Sequence, residues 1–168
     1  MRASTHRGYL CAIVAIVLGV ALASCDDPVH SDAVDALGPE VAGIPRGPRH
    51  RAGQPCLTCH GGDGPGSPDF SFGGTVFLVR GGTQGVPGVT VLLKDARGAT
   101  IARSTNEVGN FYIQKSEWSP VFPVFATISY AGEERPMATR IGGSGSCATC
   151  HRGSGDAQHM PGVFLRDQ

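Results

Sequence analysis

The chain has no surplus of charge of either sign. Lys and Arg number 14 and Asp and Glu number 14, and charged residues are only 17% of the 168. Binding to nucleic acid through phosphates needs a basic face, and this composition offers none. Long uninterrupted helical patterns are also missing. Glycine occurs 25 times and proline 12 times, which favours turns and short strands over long helices. The longest apolar run, Leu10 to Ala23, is too short for a convincing membrane span. Arg2 and Arg7 precede it, so it has the shape of an export signal.

Disulfides are not expected once each of the six cysteines, Cys11, Cys25, Cys56, Cys59, Cys147 and Cys150, is given the role read for it below. Cys11 lies inside the export signal and leaves with it. The run ends in Leu22-Ala23-Ser24-Cys25, which resembles the lipobox of bacterial lipoproteins. That resemblance implies a signal peptide over 1–24 and an acylated Cys25 as the first mature residue. The competing reading is an ordinary signal peptide beside an incidental cysteine, although an odd thiol is unusual in an exported protein. A lipid at Cys25 holds the chain on a membrane without spanning it. Asp26 and Asp27 resemble the inner-membrane retention signal of enterobacteria. Other bacteria do not follow that rule reliably, so the choice of membrane stays open.

The remaining four cysteines form a repeated pattern, Cys56-Leu57-Thr58-Cys59-His60 and Cys147-Ala148-Thr149-Cys150-His151. Cys-x-x-Cys-His is the attachment pattern of c-type haem. The two thiols suit thioether bonds to the haem vinyl groups, and the following histidine suits the proximal iron position. The cofactor expectation is therefore two covalently bound c-type haems, on Cys56, Cys59 and His60 and on Cys147, Cys150 and His151. Export and haem attachment agree, because attachment of c-type haem resembles a process that occurs outside the cytoplasm.

His50 and His159 are the candidate distal iron ligands. Each lies a few residues from its motif, and an extended chain covers roughly 3.3 Å per residue, enough to cross a haem. Met137, Met160 and the distant His30 are further options. Met ligation gives a higher potential than a histidine pair, and an open sixth position on one iron remains an alternative.

Between the motifs the pattern is β. Phe72–Arg80, Val89–Lys94, Ala99–Ser104, Asn110–Gln114, Val121–Tyr130 and Glu133–Arg140 read as strands separated by Gly-rich turns. Val89, Val91 and Leu93 share one face, as do Phe111 and Ile113, and Phe122, Val124, Ala126 and Ile128. Trp118 is expected to pack on the end of the module.

Gly73-Gly74-Thr75-Val76, Gly85-Val86-Pro87-Gly88-Val89-Thr90-Val91, Asp95-Ala96-Arg97-Gly98 and Thr105-Asn106-Glu107-Val108-Gly109-Asn110-Phe111 together resemble the carboxypeptidase-regulatory-like domains. That resemblance implies a transthyretin-like (prealbumin-like) module without an active site. The expected fold is mainly β, a small antiparallel β-sandwich of prealbumin or Ig-like type flanked by two short haem-binding segments. The expected layout is a flexible tether over 25–53, the first haem segment over 54–69, the sandwich over 70–141 and the second haem segment over 142–168. Within the tether, Arg46, Arg49, His50 and Arg51 form a small basic cluster, read as a solvated linker or as partners of haem propionates.

These readings point to a non-enzymatic, membrane-anchored dihaem electron carrier of the cell envelope. It faces the periplasm or the exterior and meets redox partner proteins there, with no nucleic acid. Two alternatives stay open. A haem-based ligand sensor needs a vacant sixth position. A zinc protein would use the same cysteines and histidines.

Overall fold

The computed structural model describes residues 27–40, 42–152 and 160–166. These form a mainly β structure of two sheets around one core, with three short helices. The elements in chain order are α1 (Pro28–Asp35), α2 (Cys56–His60), β1 (Phe70–Val79), β2 (Thr90–Lys94), β3 (Thr100–Ser104), β4 (Asn110–Gln114), β5 (Phe125–Tyr130), β6 (Glu133–Pro136), α3 (Cys147–Cys150) and β7 (Val163–Arg166). One sheet runs β4-β1-β7 and the other β3-β2-β5-β6.

The core forms where the inward positions of the two sheets meet. Phe72 and Val76 of β1 and Phe111 and Ile113 of β4 pack with Val91 and Leu93 of β2 and Ile128 of β5. The alternation along β2 and β4 follows the two-residue period of a strand that covers a core with one face. Trp118 packs against this core, its ring centroid 5.9 Å from that of Phe72.

β1 departs from that alternation, because residues 72–76 are buried without interruption. A strand reads this way when both of its faces are covered. The core covers one side, and the first Cys-x-x-Cys-His segment covers the other. The register also slips between Phe70 and Phe72. Phe72 enters the core, whereas Phe70 stacks on His60 and Tyr112. An irregularity of this kind re-aims a side chain beside a site.

Two departures from the sequence reading concern the sheet. β7 lies within 142–168, and it pairs with β1 in parallel, so the sheet is not wholly antiparallel. No hairpin joins β1 to β7, so no tight turn imposes the antiparallel direction. The strand expected from Val121 begins at Phe125, since Val124 instead bridges Ile141.

The described residues of 25–53 carry local structure and contacts with the sheet. α1 is capped by the Asp27 side chain, which accepts from the Val29 amide at 3.0 Å, with a proline in its first turn. Residues 48–53 lie on the sheet. The Asn110 amide donates to the carbonyls of Pro48 (3.2 Å) and His50 (3.0 Å), and Asn106 donates to Pro48 (2.6 Å). The Gly53 amide donates to Thr75 Oγ1 at 2.7 Å, and the Thr75 hydroxyl donates to Asn110 Oδ1 at 2.6 Å. Asn106 in the turn ahead of β4, Asn110 at its start and Thr75 of β1 thus clamp the segment that carries His50.

Candidate haem-binding sites

The first motif forms the single turn α2 on the outer face of β1. An ideal Cβ at Gly73 would lie 3.0 Å from Cys56 Cβ and 3.2 Å from its Sγ. A side chain at Gly73 would press Cys56 outward by a few tenths of an ångström. Burial pushes the Cys56 thiol up to about 11, and its Sγ approaches the Gln54 carbonyl at 3.6 Å.

The Gly-rich stretch after the motif folds back over α2. The Gly66 amide donates to the Cys59 carbonyl at 2.8 Å. A Cβ at Gly66 would sit 2.8 Å from the His60 ring. The other wall of that imidazole is Phe70, stacked at 4.3 Å and 10°.

His60 Nδ1 lies 2.8 Å from the carbonyl oxygen of Pro68. A carbonyl only accepts, so Nδ1 carries the proton of this bond and Nε2 is the ring nitrogen left to face the cleft as an acceptor in the neutral tautomer. Metal-binding histidines are oriented in this way, by giving the second ring N–H to a fixed acceptor.

The second motif forms α3. Here an ideal Cβ at Gly74 would lie 2.7 Å from Cys147 Cβ and 2.8 Å from Cys147 Sγ. Successive residues of a strand point to opposite faces, so the first cysteine of each motif is received on its own side of β1. Burial pushes the Cys147 thiol up to about 12, with the nearby Cys56 as a lesser cause. Cys150 is exposed. His151 repeats the arrangement of His60, with Nδ1 2.7 Å from the Pro161 carbonyl oxygen. His151 also bridges Met160, whose amide donates to the Cys150 carbonyl at 2.8 Å.

Each motif opens on its own cleft. The first, of about 590 Å³, is lined by Cys56, Cys59 and His60 together with His50, Phe70 and Tyr112. The second, of about 420 Å³, is lined by Cys147, Cys150 and His151 together with Met137 and Met160. Both volumes fall in the range of small-molecule and cofactor sites, roughly 300–1,000 Å³. Phe111 borders both clefts.

His50 is placed opposite His60, with ring centroids 5.9 Å apart and planes at 43°. Two imidazoles on one metal, each at about 2.0–2.1 Å, put their centroids roughly 6 Å apart. His50 Nδ1 is buried without a hydrogen-bond partner and stands 3.9 Å from Glu40. Burial lowers the His50 pKa, and the Glu40 carboxylate opposes that shift. The neutral imidazole so favoured is the form that binds metal.

Arg51 next to it adopts a positive φ of 51°, and its guanidinium holds that corner by donating to the Gly38 carbonyl and to Gln54 Oε1, both at 2.8 Å. Arg46 and Arg51 converge with His50 on Glu40 at 3.9–4.0 Å.

No family model, curated protein or solved structure matches the chain.

The residues fit the group that the motifs imply. Each cleft has two cysteines on its wall, an oriented imidazole and apolar or aromatic surroundings. Among the described residues no three His, Cys, Asp or Glu side chains gather as a metal cluster would require. His159 and Cys25 lie outside the described residues, as does the export signal. The sequence alone gives no site role to Pro68, Pro161, Phe70, Gly66 or the glycine pair of β1. One signal was available. In both copies the motif is followed by a Gly-rich stretch and then, 8 and 10 residues after the histidine, by the proline whose carbonyl orients it.

Proposed function

We propose that the protein is a dihaem c-type cytochrome that carries electrons in the cell envelope, tethered to a membrane by a lipid on Cys25. The observation that carries this reading is the matched pair of histidines. Each directly follows its Cys-x-x-Cys pair, gives Nδ1–H to a proline carbonyl and shares a separate cleft with its two cysteines.

In this reading Cys56 and Cys59 hold one haem and Cys147 and Cys150 the other, with His60 and His151 as proximal ligands. His50 is the distal ligand at the first site, supported by its distance from His60. Haem supplies one-electron redox chemistry when bound. The chain's own part is to orient the imidazoles, wall the clefts with aromatic and aliphatic side chains and keep the irons tethered in both redox states. No catalytic group is assigned, so the reading is a carrier and not an enzyme.

The module around the clefts is proposed to be a carboxypeptidase-regulatory-like sandwich, supported by the two sheets and the Thr105–Phe111 turn. In that turn Thr105 Oγ1 donates to the Val86 carbonyl and accepts from the Val89 amide.

The test is intact mass on protein matured in a host competent for c-type cytochromes. The parent should carry two haems. Cys56→Ala/Cys59→Ala and Cys147→Ala/Cys150→Ala should each carry one. Parent protein at the mass of the bare chain contradicts the assignment.

A further inference from the structure

The two clefts are built against one strand. Gly73 receives Cys56 from the outer face of β1, and Gly74 receives Cys147 from the core side. The positions are adjacent in sequence, so their ideal Cβ atoms are set by the geometry of one peptide unit. Adding the 3.2 and 2.8 Å approaches to the sulfurs keeps the two Sγ atoms within about 12 Å of each other. Phe111, paired with Gly74 across the sheet, is buried and borders both clefts. The material between them is backbone and an aromatic ring.

We propose that β1 is a shared wall that couples the two sites, so that the redox state of one is felt by the other. This rests on the dihaem reading above. The physical grounds are distance and dielectric. A unit change of charge at one site acts on the other through dry protein, where charges interact more strongly than in water. Such coupling is reciprocal by thermodynamic necessity. The glycine pair is what permits it. A side chain at either position would push its cysteine, and the site behind it, away from the strand.

The experiment uses the full mature protein and its two single-site variants, Cys56→Ala/Cys59→Ala and Cys147→Ala/Cys150→Ala. Haem content is measured first. Low-temperature electron paramagnetic resonance spectra are then recorded on the oxidised forms. Coupling predicts that the parent spectrum is not the sum of the two single-site spectra but is broadened or split by the magnetic interaction of near neighbours. A parent spectrum equal to the sum overturns the proposal and leaves the dihaem reading intact. An absence of haem overturns the dihaem reading itself.

Should a single-site variant fail to fold, the parent alone decides the matter in a potentiometric titration. The line shape of the signal that persists longest must change as the other site is reduced. An unchanged line shape overturns the proposal.

Discussion

Replacing Gly74 by alanine isolates the most specific packing feature of the molecule. The new methyl carbon would lie 2.7 Å from Cys147 Cβ, 2.8 Å from its Sγ and 3.2 Å from the Phe111 ring. Favourable carbon contacts lie near 3.5–4.0 Å, so α3 or β1 must yield. Overpacking of this kind costs about 1–3 kcal/mol. Losing a glycine from a strand interior returns about 0.5–1 kcal/mol. The net loss is on the order of 1–2 kcal/mol, a fall in Tm of roughly 3–8 °C for a domain of this size.

Gly73→Ala meets Cys56 at 3.0 and 3.2 Å, a milder approach that should cost clearly less. Gly142→Ala, with nothing within 4 Å of its Cβ position, serves as the control. Thermal unfolding followed by circular dichroism reads all three. A Gly74→Ala protein as stable as the parent, or less affected than Gly73→Ala, would refute the back-to-back packing.

Other perturbations test the remaining links. Asn110→Ala removes the donor to the Pro48 and His50 carbonyls and the acceptor for Thr75. It should cost about 1–3 kcal/mol and speed proteolysis between Arg46 and Gln54; an unchanged digestion pattern would contradict the clamp. Asp95 accepts from the amides of Val121, Arg97 and Ala99, and these bonds, that of Val121 first, lower its pKa from 3.8. Its folded-state pKa lies below the unfolded value, so this stabilisation is present above pH 3.8 and is lost as pH falls through the folded pKa. Asp95→Asn should therefore flatten the acid limb of the stability–pH curve below about pH 4, and an equally steep limb in the variant would count against it. On the dihaem reading, His50→Ala should leave haem content unchanged while one haem turns high-spin and binds carbon monoxide. A fully low-spin spectrum would remove His50 from the ligand set.

The strands β2 and β4 were legible almost to the residue, because each covers a core with one face and so shows a clean two-residue period. β1 was harder in its function than in its existence. The glycines at 73 and 74 read as part of the strand Phe72–Arg80 and of the carboxypeptidase-regulatory-like resemblance, and nothing local reveals that two cysteines, from segments before and after the module, arrive there. β7 was missed because Val163 to Arg166 is a short run whose strand character depends on an edge offered by β1. His50 could be reached only by chain length. Its position depends on Asn110 and Thr75, which contact its segment across the fold. The six residues proposed to attach and ligate haem, by contrast, sit in contiguous motifs and need no tertiary information to be found.

The most direct test of the central claim is a pyridine haemochrome assay with a reduced-minus-oxidised visible spectrum, on protein matured in a host competent for c-type cytochromes. The account predicts two covalently attached haems per chain, with low-spin bands at least at the site that His50 and His60 share. A chain that emerges from the same host without covalent haem, its four Cys-x-x-Cys thiols still free, would contradict it.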